Sequence, residues 1–324
     1  MSIRIGIVGY GNLGRGVETA IGLNPDLSLT GVFTRRAPES VPTAGARVYP
    51  MSDLDFRRDD LDVLILCGGS RDDLPIQSPE LAARYSLVDS YDNHAHIPEH
   101  FAAVDAAARA AGTTAIISSG WDPGLFSLNR LFGEAVLPQG STYTFWGRGL
   151  SQGHSDALRR VPGVVQAAQY TIPSEDAISR VRAGEAPELS TRERHTRECY
   201  VVLADGADPE TVRAEIVAMP DYFEPYETTV HVIDSAEFER SHQGMPHGGF
   251  VIRSATTSEG NAQVIEYQLA LDSNPEFTAS VLVAYARAAA RMSAAGDHGA
   301  KTVFDVAPGL LSARSPGELR RDLL

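Results

Sequence analysis

The chain has 324 residues, enough for two domains with a core each, and 43% of them are apolar, which excludes a disordered chain. A formal charge of −14 argues against a nucleic-acid partner, whose phosphates must be neutralised by many cations. No apolar run approaches the ~18–20 residues of a membrane span. The two distant cysteines, Cys67 and Cys199, suggest neither a disulfide framework nor paired metal ligands, which fits a reducing, cytoplasmic setting.

Ile3–Val8 reads at once as a core strand, so no targeting peptide is expected. A helical pattern over 13–21 follows, then strands over 27–34 and 63–67, a helix around 75–83, a strand over 86–89, a helix over 97–111 and a strand over 114–118. Near-continuous apolar strands separated by helices predict a parallel sheet covered on both faces, a Rossmann-type α/β domain over residues 1–122. Beyond 123 the strands lengthen and alternate, over 164–171, 195–203, 227–234, 250–255 and 264–272. This predicts an α+β mixed-sheet domain over 123–275, with one face on helices and the other open to a partner subunit. A long Ala-rich helix near 275–295 begins a segment, about 276–324, expected to rejoin the first domain.

The strongest local signal is Gly9-Tyr10-Gly11-Asn12-Leu13-Gly14, which follows a strand and opens a helix. There Gly9 permits a tight turn, Gly11 lets the backbone approach a pyrophosphate, and Gly14 lets helix and strand pack closely. The helix N-terminus then offers N–H groups to phosphate. The alternative is a strand-to-helix turn with no ligand. The second strand ends at Thr34-Arg35-Arg36, where an NAD site would place an acidic residue on the ribose 2′-hydroxyl. Two guanidinium groups and a hydroxyl suit a 2′-phosphate, so NADP is the expected cofactor and this is the basic patch an acidic chain needs.

Lys301 is the sole lysine, which disfavours a Schiff base or a catalytic lysine and leaves carboxylates and histidines for proton transfer. Asp92, in Ser90-Tyr91-Asp92-Asn93-His94, and Asp122, in Ser119-Gly120-Trp121-Asp122-Pro123-Gly124, both follow strands and can face one crevice at the strand ends. Taken alone, either aspartate reads more readily as the cap of a turn or helix. His94, His96 and His100 match no closed zinc pattern and are expected on an exposed turn, so no metal is expected. Asp72-Asp73 and Arg159-Arg160 read as solvated charges, and Trp121 and Trp146 as core or ligand-facing aromatics.

These residues resemble a family. The string Val8 to Arg15 and Thr34-Arg35-Arg36 are similar to the cofactor site of the meso-diaminopimelate dehydrogenases. The likeness continues through Tyr91-Asp92-Asn93-His94, Gly120 to Gly124, Phe145-Trp146-Gly147 and Gly149 to Ala157. It extends through Tyr170 to Asp176, Met219 to Tyr222, Gly244 to Gly249, Asn274-Pro275 and Phe277 to Ser280. The resemblance implies reversible, NADP-dependent oxidative deamination of meso-2,6-diaminopimelate at its D-centre, giving L-2-amino-6-oxopimelate and ammonia for lysine and cell-wall precursor synthesis.

It further implies that Asp92 and Asp122 meet the reacting amino group, with Trp121, Trp146, Gln152 and Gly153 at the substrate. Thr171, Arg197, His247 and Asn274 would hold the distal L-centre, the fork of Arg197 taking its carboxylate. Tyr10 to Leu13, Cys67-Gly68-Gly69-Ser70, Ser90 to Asp92 and Ser119 to Pro123 would line the cofactor, and a homodimer would form through the second domain. Gly68 departs from the family, which carries a larger residue there. Two other readings are a reductase of another small dicarboxylate and a non-catalytic NADP sensor.

Overall fold

β1 (Ile3–Val8) runs through the middle of a seven-stranded parallel sheet with Ile5, Ile7 and Val8 buried, as a strand covered on both faces requires. The computed structural model describes residues 2–220 and 222–324, and the chain divides into two units, residues 1–128 with 275–324 and residues 129–274.

In the first unit β1 is followed by α1 (Asn12–Gly22), β2 (Leu27–Thr34), β3 (Val48–Pro50), β4 (Val63–Leu66), α2 (Leu74–Ala82), β5 (Leu87–Asp89), α3 (Ile97–Ala111) and β6 (Thr114–Ile116). A late strand, Gly299–Lys301, adds beside β6, and the order runs from it through β6, β5, β4, β1 and β2 to β3. The chain thus builds outward from β1 to β3, then crosses over to β4 and builds the other way. That reversal beside β1 is where open α/β sheets bind ligands, beyond the carboxyl ends of the strands.

Alternation along each strand sorts the core into two layers. Ile5, Ile7, Val63 and Ile65 pack with Val17 and Ile21 of α1 and with Leu282 and Tyr285 of the helix Asn274–Ala294. Val8, Leu64 and Leu66 pack on the other side with Leu74 and Leu81 of α2 and Val104 and Ala108 of α3. The late helix is also held by an ion pair between the buried Arg287 and the half-buried Asp26, Arg287 Nε and Nη2 donating to the carboxylate at 2.6 and 2.8 Å. The short strands β3 and Gly299–Lys301 escape sequence reading because neither is an apolar run: a proline ends the first, and a glycine and a lysine flank the single alanine of the second.

α4 (Leu125–Val136) starts in the first unit and ends in the second. The second unit then holds β7 (Gly140–Trp146), β8 (Gly149–Leu150), α5 (Gln152–Leu158), β9 (Val164–Pro173), β10 (His195–Leu203), β11 (Glu227–Val232), β12 (His247–Ser258) and β13 (Asn261–Leu271). These strands form two sheets rather than one. In the order β11-β10-β9-β8 only β10 and β11 are parallel, whereas β13-β12-β7 is wholly antiparallel. β7 ends against Gly249 of β12, and after two intervening residues β8 begins against Thr171 of β9, so the chain changes sheets there. The four-stranded sheet buries Ala167, Cys199 and Val201 against Leu158 of α5 and Val212 and Ile216 of the helix Pro209–Val217.

Neither cysteine forms a disulfide; Cys199 is buried and Cys67 half-buried. Among the described residues no helix is long and apolar enough to cross a membrane, and no three or more His, Cys, Asp or Glu side chains are grouped to hold a metal ion.

Candidate active site

The loops that follow β1, β2, β4, β5 and β6 lie at one edge of the parallel sheet, because those strands are neighbours that run the same way. That edge gathers Gly9 to Leu13, Thr34 to Arg36, Cys67 to Ser70, Ser90 to Asp92 and Ser119 to Pro123. Gly9 has φ +89°, a left-handed conformation that favours glycine. A Cβ at Gly14 would sit 2.5 Å from the Gly9 carbonyl oxygen, so only glycine lets α1 approach the turn this closely. α1 begins at a Gly11 N-cap that supplies no side-chain hydrogen bond, and no acidic residue occupies the first turn. Its N–H groups and dipole therefore favour an anion. A Cβ built on Gly11 meets nothing within 4 Å, which leaves room in front of that backbone. These residues fit a dinucleotide pyrophosphate.

The basic patch is built into this loop. Arg36 donates from Nη2 to the Tyr10 carbonyl at 2.5 Å, and its N–H donates to Thr34 Oγ1 at 3.1 Å. Tyr10 donates its hydroxyl to Glu18, and burial followed by that carboxylate pushes the phenol up to about 12. The Arg35 side chain is 70% exposed and ion-paired with Asp73 at 2.5 Å. Asp73 is thus no solvated charge. It accepts the Gly69 N–H at 3.0 Å, and that bond together with Arg35 holds its carboxyl below the usual range. At Gly68 a Cβ would lie 2.6 Å from Cβ of Asp73, so a larger residue there requires Asp73 to shift.

Asp92 is exposed, and its N–H donates to Ser70 Oγ at 3.1 Å, which ties the loop after β5 to the loop after β4. Asp122 is half-buried beside Trp121, which is 7% exposed and meets Phe126 edge-on at 5.3 Å. Ser118 and Ser119 have hydroxyls that are buried without a partner. His94 and His96 do occupy an exposed turn, but His100 does not. It is 5% exposed on α3, with Nε2 2.8 Å from Asp89. A three-residue histidine pattern hides this, because α3 begins at Ile97 and turns His100 inward.

In the second unit Arg197 on β10 is 7% exposed and donates from Nη1 to Thr171 on the paired strand β9. Its Cζ lies 3.8 Å over the Tyr226 ring, and Nε is buried without a partner. No carboxylate among the described residues pairs with this guanidinium, and burial draws its pKa down from the ordinary value. Such a charge is costly unless something supplies the missing anion.

Two neutral histidines belong to the same unit. His154 on α5 and His195 on β10 are each brought down to about 4, first by burial and then by Arg197. His195 Nε2 accepts the Trp146 N–H at 2.8 Å, and the Trp146 ring, 39% exposed, stacks on the imidazole at 5.4 Å. His154 Nδ1 lies 2.8 Å from Ser151 Oγ. Gln152 Nε2 approaches the Met245 sulfur at 3.0 Å, the Asn274 N–H donates to the Met245 carbonyl at 2.9 Å, and His247 Nδ1 accepts the Gly248 N–H at 2.8 Å. Gly153, beside Gln152, is exposed. Arg159 is not simply solvated, since Nη1 donates to the Ala167 carbonyl at 2.9 Å. His154, His195 and Tyr226 are neighbours of Arg197 that sequence reading misses: His195 lies two residues away on β10, Tyr226 arrives where β11 pairs with β10, and His154 where α5 packs on β9.

A Rossmann sheet with a phosphate-ready glycine turn, in a chain whose second unit buries Arg197 with no carboxylate partner among the described residues, defines a dinucleotide-dependent dehydrogenase of an anionic substrate. Residues 120–273 match the family model described as diaminopimelic acid dehydrogenase C-terminal domain. The chain is 61% identical over 323 residues to a meso-diaminopimelate D-dehydrogenase from Ureibacillus thermosphaericus, covering 99% of each chain. Among solved structures it is similar to the Corynebacterium glutamicum DAP dehydrogenase in complex with DAP, with TM-score 0.93, 50% identity and coverage of 100% of this chain and 99% of that one. It is also similar to an engineered D-amino acid dehydrogenase bound to NADP+, with TM-score 0.88, 49% identity and full coverage of both chains. The chain belongs to the meso-diaminopimelate D-dehydrogenase family.

Proposed function

We propose that the chain catalyses NADP-dependent oxidative deamination of meso-2,6-diaminopimelate at its D-centre, in lysine and cell-wall precursor biosynthesis. The substrate, NADP+ and water give L-2-amino-6-oxopimelate, ammonium, NADPH and a proton. The observation that carries this reading is the buried charge of Arg197, which has no carboxylate partner among the described residues and which a substrate carboxylate would complete. When bound, NADP+ accepts the hydride from the amine-bearing carbon. Asp92 and Asp122 would take the proton from the ammonium group and hold the water that hydrolyses the imine, with Trp121, Trp146, Gln152 and Gly153 shaping the space around it. Arg197, with Thr171, His247 and Asn274, would pin the distal L-centre, and one fixed orientation of that end selects the D-centre for reaction. Gly9 to Gly14 would hold the pyrophosphate and Thr34 to Arg36 the 2′-phosphate.

A homodimer through the second unit is supported by β13, where Val264 and Ile265 are each 41% exposed on a strand paired with β12 at one edge. Light scattering of the purified protein would return twice the chain mass. A cytoplasmic setting is supported by two unbridged thiols. The catalytic assignment is tested by NADPH formation with meso-diaminopimelate, and absence of turnover would favour the non-catalytic sensor.

A further inference from the structure

We propose that Asp89 is a positioning residue for the reaction, a buried carboxylate that fixes the loops carrying Asp92 and Asp122 relative to one another; this rests on the dehydrogenase reading. Asp89 ends β5 and is 0% exposed. A carboxylate so placed is costly unless its lone pairs are filled, and here each oxygen accepts from two donors. Oδ1 takes the N–H of Tyr91 at 3.1 Å and of Ser118 at 2.9 Å. Oδ2 takes the Ser78 hydroxyl from α2 at 2.6 Å and lies 2.8 Å from Nε2 of His100 on α3. The Asp89 carbonyl accepts the Ser119 N–H at 2.9 Å.

The first two donors come from different loops. Tyr91 immediately precedes Asp92, and Ser118 and Ser119 lead into the turn that carries Asp122. One carboxylate therefore sets the spacing of both loops, as one supporting group can set a whole constellation. Ser118 has φ +53°, a conformation that is strained for a residue with a Cβ and persists only where its surroundings impose it. Here Asp89 does so, by binding the N–H of Ser118 and of the next residue. His100 completes the arrangement, filling Oδ2 and stacking on Tyr91 at 4.1 Å with 19° between the rings.

The test compares the full-length wild type with Asp89→Leu, Asp89→Asn, His100→Leu and His100→Gln, recording kcat, KM for NADP+ and the melting temperature. Asparagine keeps a carbonyl oxygen for the two loop N–H groups, so Asp89→Asn should stay within about tenfold of wild-type kcat, whereas Asp89→Leu should lose about 100-fold, the usual cost of misplacing reacting groups by about 1 Å. KM for NADP+ should change by a smaller factor than kcat, because Gly9 to Gly14 and Thr34 to Arg36 keep their places although the two loops also line the cofactor, and this separates lost positioning from lost cofactor binding. If the leucine variant does not fold, His100→Leu should lower kcat about tenfold and His100→Gln, whose amide still donates, should restore it. Wild-type kcat in every folded variant overturns the proposal, even if melting temperatures fall, as does a loss that the conservative partners do not recover. A wild type inactive on meso-diaminopimelate instead overturns the dehydrogenase reading.

Discussion

Arg35 donates from Nη2 to the Asp73 carboxylate at 2.5 Å, and the same carboxylate accepts the Gly69 N–H at 3.0 Å, so the guanidinium proposed for the cofactor's 2′-phosphate is tied to the loop after β4. Arg36 has a different tie, to the Tyr10 carbonyl of the glycine turn. Arg35→Ala should weaken NADP+ binding about tenfold, the scale of one partly exposed charge-assisted contact, and leave NAD+ binding within about twofold. Arg36→Ala should affect both dinucleotides, because it also loosens the turn under the pyrophosphate. Fluorescence titration with each dinucleotide checks this, and equal losses for Arg35→Ala would remove it from the 2′-phosphate site.

Asp92→Ala and Asp122→Ala should each lower kcat by about 100-fold or more, the scale of a lost acid–base group, with KM for NADP+ changed little. Steady-state kinetics with both substrates varied makes the comparison. A variant with wild-type kcat removes that aspartate from the proton chemistry.

Arg197→Leu should act in opposite directions on stability and substrate use. With no ligand it removes a buried charge that has no carboxylate partner among the described residues, and should raise the melting temperature. With substrate it removes the anchor of the distal carboxylate and should raise KM for meso-diaminopimelate about 100-fold. Calorimetry and kinetics on the same preparation check both signs.

His154 and His195 are neutral in the fold, each with a pKa near 4 against an ordinary 6.5. Between those values the unfolded chain binds more protons than the native one, so stability falls as pH drops from about 6.5 to about 4 and is insensitive to these groups above that window. Melting curves across the range should show the slope. His195→Gln, whose side-chain oxygen can still accept the Trp146 N–H, should reduce it.

The first unit is legible in the sequence because its strands are buried on both faces and read as apolar runs, and because the glycine turn falls between a strand and a helix. The split of the second unit into two sheets is not, since β7 and β8 are separated by only Gly147 and Arg148 and no period marks the change of partner. The positions of Asp92 and Asp122 just past β5 and β6 can be read from the sequence, but position alone does not separate a catalytic carboxylate from a turn cap. Asp89 and His100 cannot be picked out, because a strand-ending aspartate and a helical histidine look ordinary until α3 packs against β5. Arg197 is a similar case: the resemblance points to it, but its burial beside Thr171 depends on the pairing of β9 with β10.

The most direct test of the account is a paired assay of NADPH and ammonium with the purified protein and the meso, LL and DD isomers of diaminopimelate. The account predicts equal amounts of NADPH and ammonium from the meso isomer and none from LL, which lacks a D-centre. No NADPH from the meso isomer, or NADPH without ammonium, would contradict it.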